Sequence, residues 1–159
     1  MQDVMVGFLS HRNTILYCRS VSNEVPMKFK KIVLQKDCTF GLDYYSIDNY
    51  KKNSNVIVLS EGNFDILGCY SLNTLELRDK CRCYCSGCTF SYEQLVKSVC
   101  VDYGMYRPDV VILSDSDKNQ NHYKRFIENT KPFVNTLNIY YNSCGTDFGD
   151  FPQKAVKIF

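Results

Sequence analysis

Two short runs, Val56-Ile57-Val58-Leu59 and Val110-Val111-Ile112-Leu113, restrict what this chain can fold into more than any other feature. Each is apolar and rich in β-branched side chains, with no polar alternation, as expected of a strand covered on both faces. Such strands belong in a parallel sheet, whose crossover connections are usually helices lying on its two faces. The intervening sequence supplies candidates for those helices. Asn63 to Leu72 has Phe64, Leu67 and Gly68 at three- and four-residue spacing. Tyr92 to Val101 puts Leu95, Val96 and Val99 on one side. Asn119 to Asn129 presents Tyr123, Phe126 and Ile127, and Pro132 stops its continuation. Arg82 to Cys85 reads as a further strand, and Leu137, Ile139 and Tyr141 mark a last one. The order over residues 55–159 is β-α-β-α-β-α-β.

The first third has a different rhythm. Val4 to Leu9 and Thr14 to Arg19 read as strands joined by the turn Ser10-His11-Arg12-Asn13, and Phe29 to Leu34 as a third strand. Phe40 to Tyr50 is expected to be a short helix or turn, and Lys51 to Asn55 a connector. Residues 1–54 hold eight Lys/Arg against five Asp/Glu, a charge of +3; residues 55–159 hold eleven against twelve, a charge of −1. The expected architecture is α/β: a basic β-rich subdomain at 1–54 and a mostly parallel sheet flanked by helices at 55–159. With 45% hydrophobic and 23% charged residues, the chain has the composition of a globular domain rather than a disordered one.

No stretch of eighteen apolar residues and no basic-then-apolar start occurs, so neither a membrane span nor a signal peptide is expected. Nine cysteines without an export signal point to free thiols in a reducing cytosol. Within Cys81-Arg82-Cys83-Tyr84-Cys85-Ser86-Gly87-Cys88, only Cys85 and Cys88 have the spacing common in zinc sites, and no second such pair exists. Cys81, Cys83 and Cys85 alternate and would share one strand face, so zinc is not expected in this chain and core packing is.

The acids fall at the strand ends. Val56–Leu59 runs into Ser60-Glu61-Gly62, and Val110–Leu113 into Ser114-Asp115-Ser116-Asp117. The last strand leads into Thr146-Asp147-Phe148-Gly149-Asp150. Ligands of such sheets bind at the carboxyl ends of the strands. Gathered carboxylates repel one another unless a divalent cation lies among them, and magnesium needs only one or two per ion. Asp115 and Asp117 can project toward one site, and Glu61 can reach in from the neighbouring strand.

Glu61-Gly62-x-x-Asp65 followed by Asp115-x-Asp117, each after an apolar strand, resembles the TOPRIM signature of DNA primases, topoisomerases, recombination mediators and some nucleases. Further residues resemble the catalytic core of bacterial- and phage-type primases. They are Phe40-Gly41-Leu42-Asp43, Arg19 at the end of a hairpin containing Gly7-Phe8, Lys28-Phe29-Lys30, and Gly145 to Asp150. The sequence departs from that pattern at Lys118-Asn119-Gln120, where an Ala-Gly pair is common, and at Thr146, where lysine is usual. Neither the family's zinc-binding domain nor a helicase-binding segment is found.

The resemblance implies a metal-dependent nucleotidyltransferase that makes short RNA primers on single-stranded DNA from ribonucleoside triphosphates. Glu61, Asp115 and Asp117 would be catalytic. Those three with Asp147 and Asp150 would hold Mg2+ or Mn2+; whether Glu61 is a ligand or assists removal of the hydroxyl proton stays open. Arg19, Lys28, Lys30 and Lys31 would grip template or triphosphate, and Gly62 and Asp65 would support the site. A replicative helicase or a separate zinc-binding subunit would be partners, in the cytoplasm (a host's cytosol for a phage protein) and away from membranes. The competing readings are a TOPRIM-type nuclease and a non-catalytic module that binds nucleic acid or a replication partner. A topoisomerase fits less well, since no single tyrosine among twelve stands out as nucleophile.

Overall fold

The computed structural model describes residues 4–22, 28–35, 43–49, 53–87, 91–115, 120–144, 148–149 and 152–159. Three strands, β1 (Met5–Leu9), β2 (Ile15–Ser20) and β3 (Phe29–Val33), form an antiparallel sheet in the order β1-β2-β3. The turn between β1 and β2 falls at the expected residues and has Asn13 at φ 60°, a left-handed conformation that asparagine tolerates.

A second sheet has the order β4-β6-β5-β7-β8-β9. Its strands are β4 (Tyr45–Asp48), β5 (Val56–Ser60), β6 (Cys83–Ser86), β7 (Asp109–Ser114), β8 (Thr136–Asn142) and β9 (Ala155–Lys157). The four central strands β6, β5, β7 and β8 run parallel, and the edge strands β4 and β9 run antiparallel to their neighbours. The helices α1 (Asn63–Ser71), α2 (Tyr92–Tyr103) and α3 (Gln120–Thr130) are the crossovers between the parallel strands.

The continuous apolar runs are explained by what covers them. Ile57, Leu59, Val110 and Ile112 pack with Leu95, Val96 and Val99 of α2 and with Tyr123 of α3. Val58, Val111 and Leu113 point the other way and pack with Ile66 and Cys69 of α1 and with Phe148. Each strand therefore buries both of its faces, at about 1.5–3 kcal/mol per large side chain. The sheet, its flanking helices and the small antiparallel sheet make a mixed α/β fold.

Several local expectations are corrected. Where a helix or turn was expected between Phe40 and Tyr50, the described part contains β4. All four of its residues are half-buried, as befits a short edge strand, and its polar alternation is too brief to read as a period. The strand at 136–142 is not the last, because β9 returns along it. In α1 the buried face is Ile66 and Cys69, whereas Leu67 is exposed and Phe64 turns toward the small sheet. Cys83 and Cys85 share the α2 side of β6, but Cys81 precedes the strand and packs on the α1 side with Cys69.

The small sheet docks through aromatic rings. Phe8, 6% exposed, meets Tyr45 and Phe64 edge-on, with 5.1 Å between centroids in each pair. The β1–β2 turn is tied down by Asp43. Its carboxylate accepts from the Ser10 hydroxyl, from the Thr14 hydroxyl at 2.6 Å and from the Arg12 backbone N–H at 3.0 Å. Arg12 in turn pairs with Asp102 of α2 at 2.7 Å. No helix among the described residues is long and apolar enough to cross a membrane.

Candidate functional site

The parallel register of β5 and β7 pairs Ser60 with Leu113, so both strands end at the same level. Glu61 follows β5 directly and Asp115 follows β7 directly, on strands about 4.8 Å apart. Both residues are half-buried. The end of β6 closes on the same place, where the Gly87 N–H donates to the Ser60 carbonyl at 3.4 Å.

After Glu61 the chain enters α1 through Gly62, whose extended backbone (φ −104°, ψ 149°) caps the helix. Asp65 takes the Gly62 N–H on one oxygen at 3.0 Å and the Gly149 N–H on the other at 2.8 Å. Asp65 is 5% exposed, so it is a tie between the helix entrance and the late turn rather than a member of an open carboxylate cluster. Gly62 is needed for this closeness: a Cβ there would lie 2.6 Å from the Asp65 Oδ2. Phe148 beside the tie is fully buried, and Gly68 makes room for Pro152, whose Cγ would lie 2.9 Å from an added Cβ.

Beneath the acids lies a layer of hydroxyls. Ser114, the last residue of β7, is fully buried and hydrogen-bonds Tyr123 of α3. Tyr92, the first residue of α2, is brought to this end of the sheet because α2 starts soon after β6 stops. Burial pushes the Tyr92 phenol well above its ordinary pKa, and the negative charges of Glu61 and then Asp115 push it the same way. Tyr92 thus stays a protonated phenol, within electrostatic reach of both carboxylates.

Basic side chains approach from the small sheet. In an antiparallel pair, directly opposed residues share a face. Arg19 opposes Val6 and Phe29, and Lys31 opposes Tyr17, which opposes Phe8. Arg19 and Lys31 therefore lie on the face that packs against α1. The Arg19 guanidinium is over the Phe64 ring at 5.9 Å, in the first turn of α1, and the Lys31 amine is over the Tyr17 ring at 5.9 Å. Lys30 opposes Cys18 and points to the other face, and Lys28, one residue before β3, follows the same alternation.

No protein-family model matches the sequence, and no curated protein does. Among solved structures, the fold is similar to the crystal structure of the zinc-binding and RNA polymerase domains of the Aquifex aeolicus primase. The TM-score is 0.60 at 17% identity, over 95% of this chain and 36% of that one. The fold is primase-like. This chain spans about a third of the length of that neighbour.

Glu61 and Asp115 follow adjoining strand ends of the large sheet, Arg19 lies over Phe64 in the first turn of α1, and Lys31 shares Arg19's face of the small sheet. Asp117, Asp147 and Asp150 lie outside the described residues, as do Phe40-Gly41-Leu42 and Cys88. Among the described residues, no three His, Cys, Asp or Glu side chains are gathered as a metal site. The Cys69 and Cys81 thiols are pushed up to about 12 by burial, the behaviour of core residues rather than reactive ones. Tyr92, Tyr123 and Ser114 are the site residues that sequence reasoning missed. The one available signal was the capping box Ser91-x-x-Gln94, which fixes where α2 begins and hence that Tyr92 stands at the sheet's carboxyl end.

Proposed function

We propose that this chain is the TOPRIM-type catalytic core of a DNA primase, joining ribonucleotides on a single-stranded DNA template. The observation that carries the reading is the side-by-side placement of Glu61 and Asp115 at the ends of adjoining parallel strands. Arg19 stands over the neighbouring helix entrance, and the fold is primase-like.

The donor set suits a hard divalent cation. It consists of carboxylate oxygens, it is half-open to solvent, and a protonated phenol lies beneath it. Glu61 and Asp115, joined by Asp117 and by Asp147 and Asp150 of the chain flanking Gly149, would hold Mg2+ or Mn2+. When bound, the ion supplies charge neutralisation at the attacking and leaving oxygens.

The chain's own residues do the rest. Arg19 and Lys31 attract the triphosphate or template phosphates and set them against the strand ends. Asp65 keeps the Glu61–Gly62 corner and the Phe148–Gly149 turn in fixed relation, so that the acids meet the substrate without rearranging. The bond formed joins the primer's 3′-oxygen to the incoming α-phosphorus, and the bond broken releases pyrophosphate. The hydroxyl proton passes to solvent, directly or by way of Glu61 where that carboxylate is not held by the ion.

The test is primer synthesis on single-stranded DNA with labelled ribonucleotides and Mg2+ or Mn2+, beside the double variant Asp115→Asn, Asp117→Asn. Short RNA products from the parent, reduced at least ~100-fold in the variant, are expected. Template cleavage that depends on the same acids would replace the polymerase reading with the nuclease one. Activity indifferent to both substitutions would overturn the assignment of the site.

A further inference from the structure

The Tyr92 hydroxyl is a polar group that the fold buries and leaves over. The ring packs against Phe126 of α3, with 5.8 Å between centroids, and the residue is 9% exposed. Its hydroxyl oxygen is closed off from solvent and meets no donor or acceptor at hydrogen-bonding geometry. The Ser114 hydroxyl lies near enough to favour the ionised phenol slightly, an effect that burial outweighs, and its hydrogen bond is with Tyr123. A buried hydroxyl in this condition destabilises the fold, and phenylalanine would fill the same space without that cost. The hydroxyl is within electrostatic reach of two carboxylates, Glu61 and Asp115, which follow adjoining strand ends.

We propose that Tyr92 is a positioning residue for the cation site, its hydroxyl donating to the Glu61 carboxylate when a divalent ion is bound and holding that carboxylate on the ion. The inference rests on the reading of Glu61 and Asp115 as cation ligands. Glu61 is the partner because its side chain is the longer and more adaptable of the two. Holding one Glu61 oxygen at the phenol leaves the other for the ion. Ligating carboxylates commonly have such an outer hydrogen bond, and losing it weakens metal binding without touching the ligands themselves. Ser114 and Tyr123 complete the layer with the hydrogen bond between their hydroxyls. The stability given up in the metal-free chain is thereby recovered when the ion enters.

The experiment is a titration of the full chain with Mn2+ alone, following free Mn2+ by its paramagnetic resonance signal. Wild type, Tyr92→Phe and Asp115→Asn are compared, and thermal unfolding of each is recorded in a chelator. Tyr92→Phe should bind Mn2+ about 10- to 100-fold more weakly. Its metal-free midpoint should equal or exceed that of wild type, an outcome a merely structural hydroxyl would not give. Unchanged Mn2+ affinity in Tyr92→Phe, with binding abolished in Asp115→Asn, would overturn this inference and leave the acids as ligands. A metal-free midpoint lowered by Tyr92→Phe would also overturn it, by showing that the hydroxyl already has a partner. Wild type that binds no Mn2+, or Asp115→Asn that binds as wild type does, would remove the ligand reading and this inference together.

Discussion

Asp43 shows how much one buried carboxylate organises in this chain. It is 3% exposed, and it accepts from two hydroxyls and from the backbone N–H groups of Arg12, Thr14 and Tyr44. Burial by itself would raise its pKa, but the Ser10 and Thr14 hydroxyls and the Arg12 and Thr14 amides outweigh it, and the value falls below the ordinary 3.8. A carboxylate with a lowered folded-state pKa stabilises fully above its unfolded pKa and loses that contribution as pH falls through the folded one. Asp43→Asn should therefore cost about 2 kcal/mol near neutrality. The gap from wild type should close as pH falls below the ordinary 3.8 and through the lower folded-state value, as the wild-type carboxyl protonates. Urea midpoints of the two proteins across that range check this, and a gap independent of pH would refute the charge-based account. Nothing in the sequence marked Asp43 as a structural hub, because its donors come from a turn some thirty residues earlier. The strand-end acids Glu61 and Asp115 were legible, since their position depends only on where an apolar run stops.

The elements were legible in proportion to their burial. β5 and β7, covered on both faces, gave runs that could be nothing else, and α2 and α3 showed the spacing of their buried residues. β4 and β9 escaped because an edge strand of three or four half-covered residues has no periodicity to read. The buried face of α1 was misjudged because Phe64 serves the small sheet, a contact with no local signature. Helix ends, by contrast, are set locally. α2 begins with Ser91 accepting from the Gln94 N–H at 3.3 Å and ends at Gly104, whose φ of 61° is left-handed. No atom lies within 4 Å of a Cβ added at Gly104, so Gly104→Ala isolates the backbone cost from any steric one. A loss of about 1–2 kcal/mol is expected from chemical denaturation. An unchanged midpoint would mean that the α2 terminus relaxes without the left-handed residue.

At the scale of the whole molecule, the relation between the two sheets is what the sequence withheld. The four basic candidates Arg19, Lys28, Lys30 and Lys31 look equivalent as text, and β-strand alternation separates them only once the register and the docked face are known. Phe8 and Tyr17 turn inward to Tyr45 and Phe64, which puts Arg19 and Lys31 on the face toward α1 and Lys30 on the opposite one. On the proposed reading, a single-stranded template would lie on the face that carries the first pair and miss the second. The affinity of a single strand falls with salt by about 0.7 in log K per log salt for each phosphate neutralised. Arg19→Ala and Lys31→Ala should therefore each weaken binding of an oligothymidine and flatten the salt dependence by about 0.7. Lys30→Ala, on the opposite face of the same strand as Lys31, should leave both affinity and slope near those of wild type. Fluorescence anisotropy across a salt series measures all four proteins in one format. If Lys30→Ala changes the slope as much as Lys31→Ala, the nucleic acid contacts the outer face of the small sheet, and the position of Arg19 over the first turn of α1 loses its functional meaning.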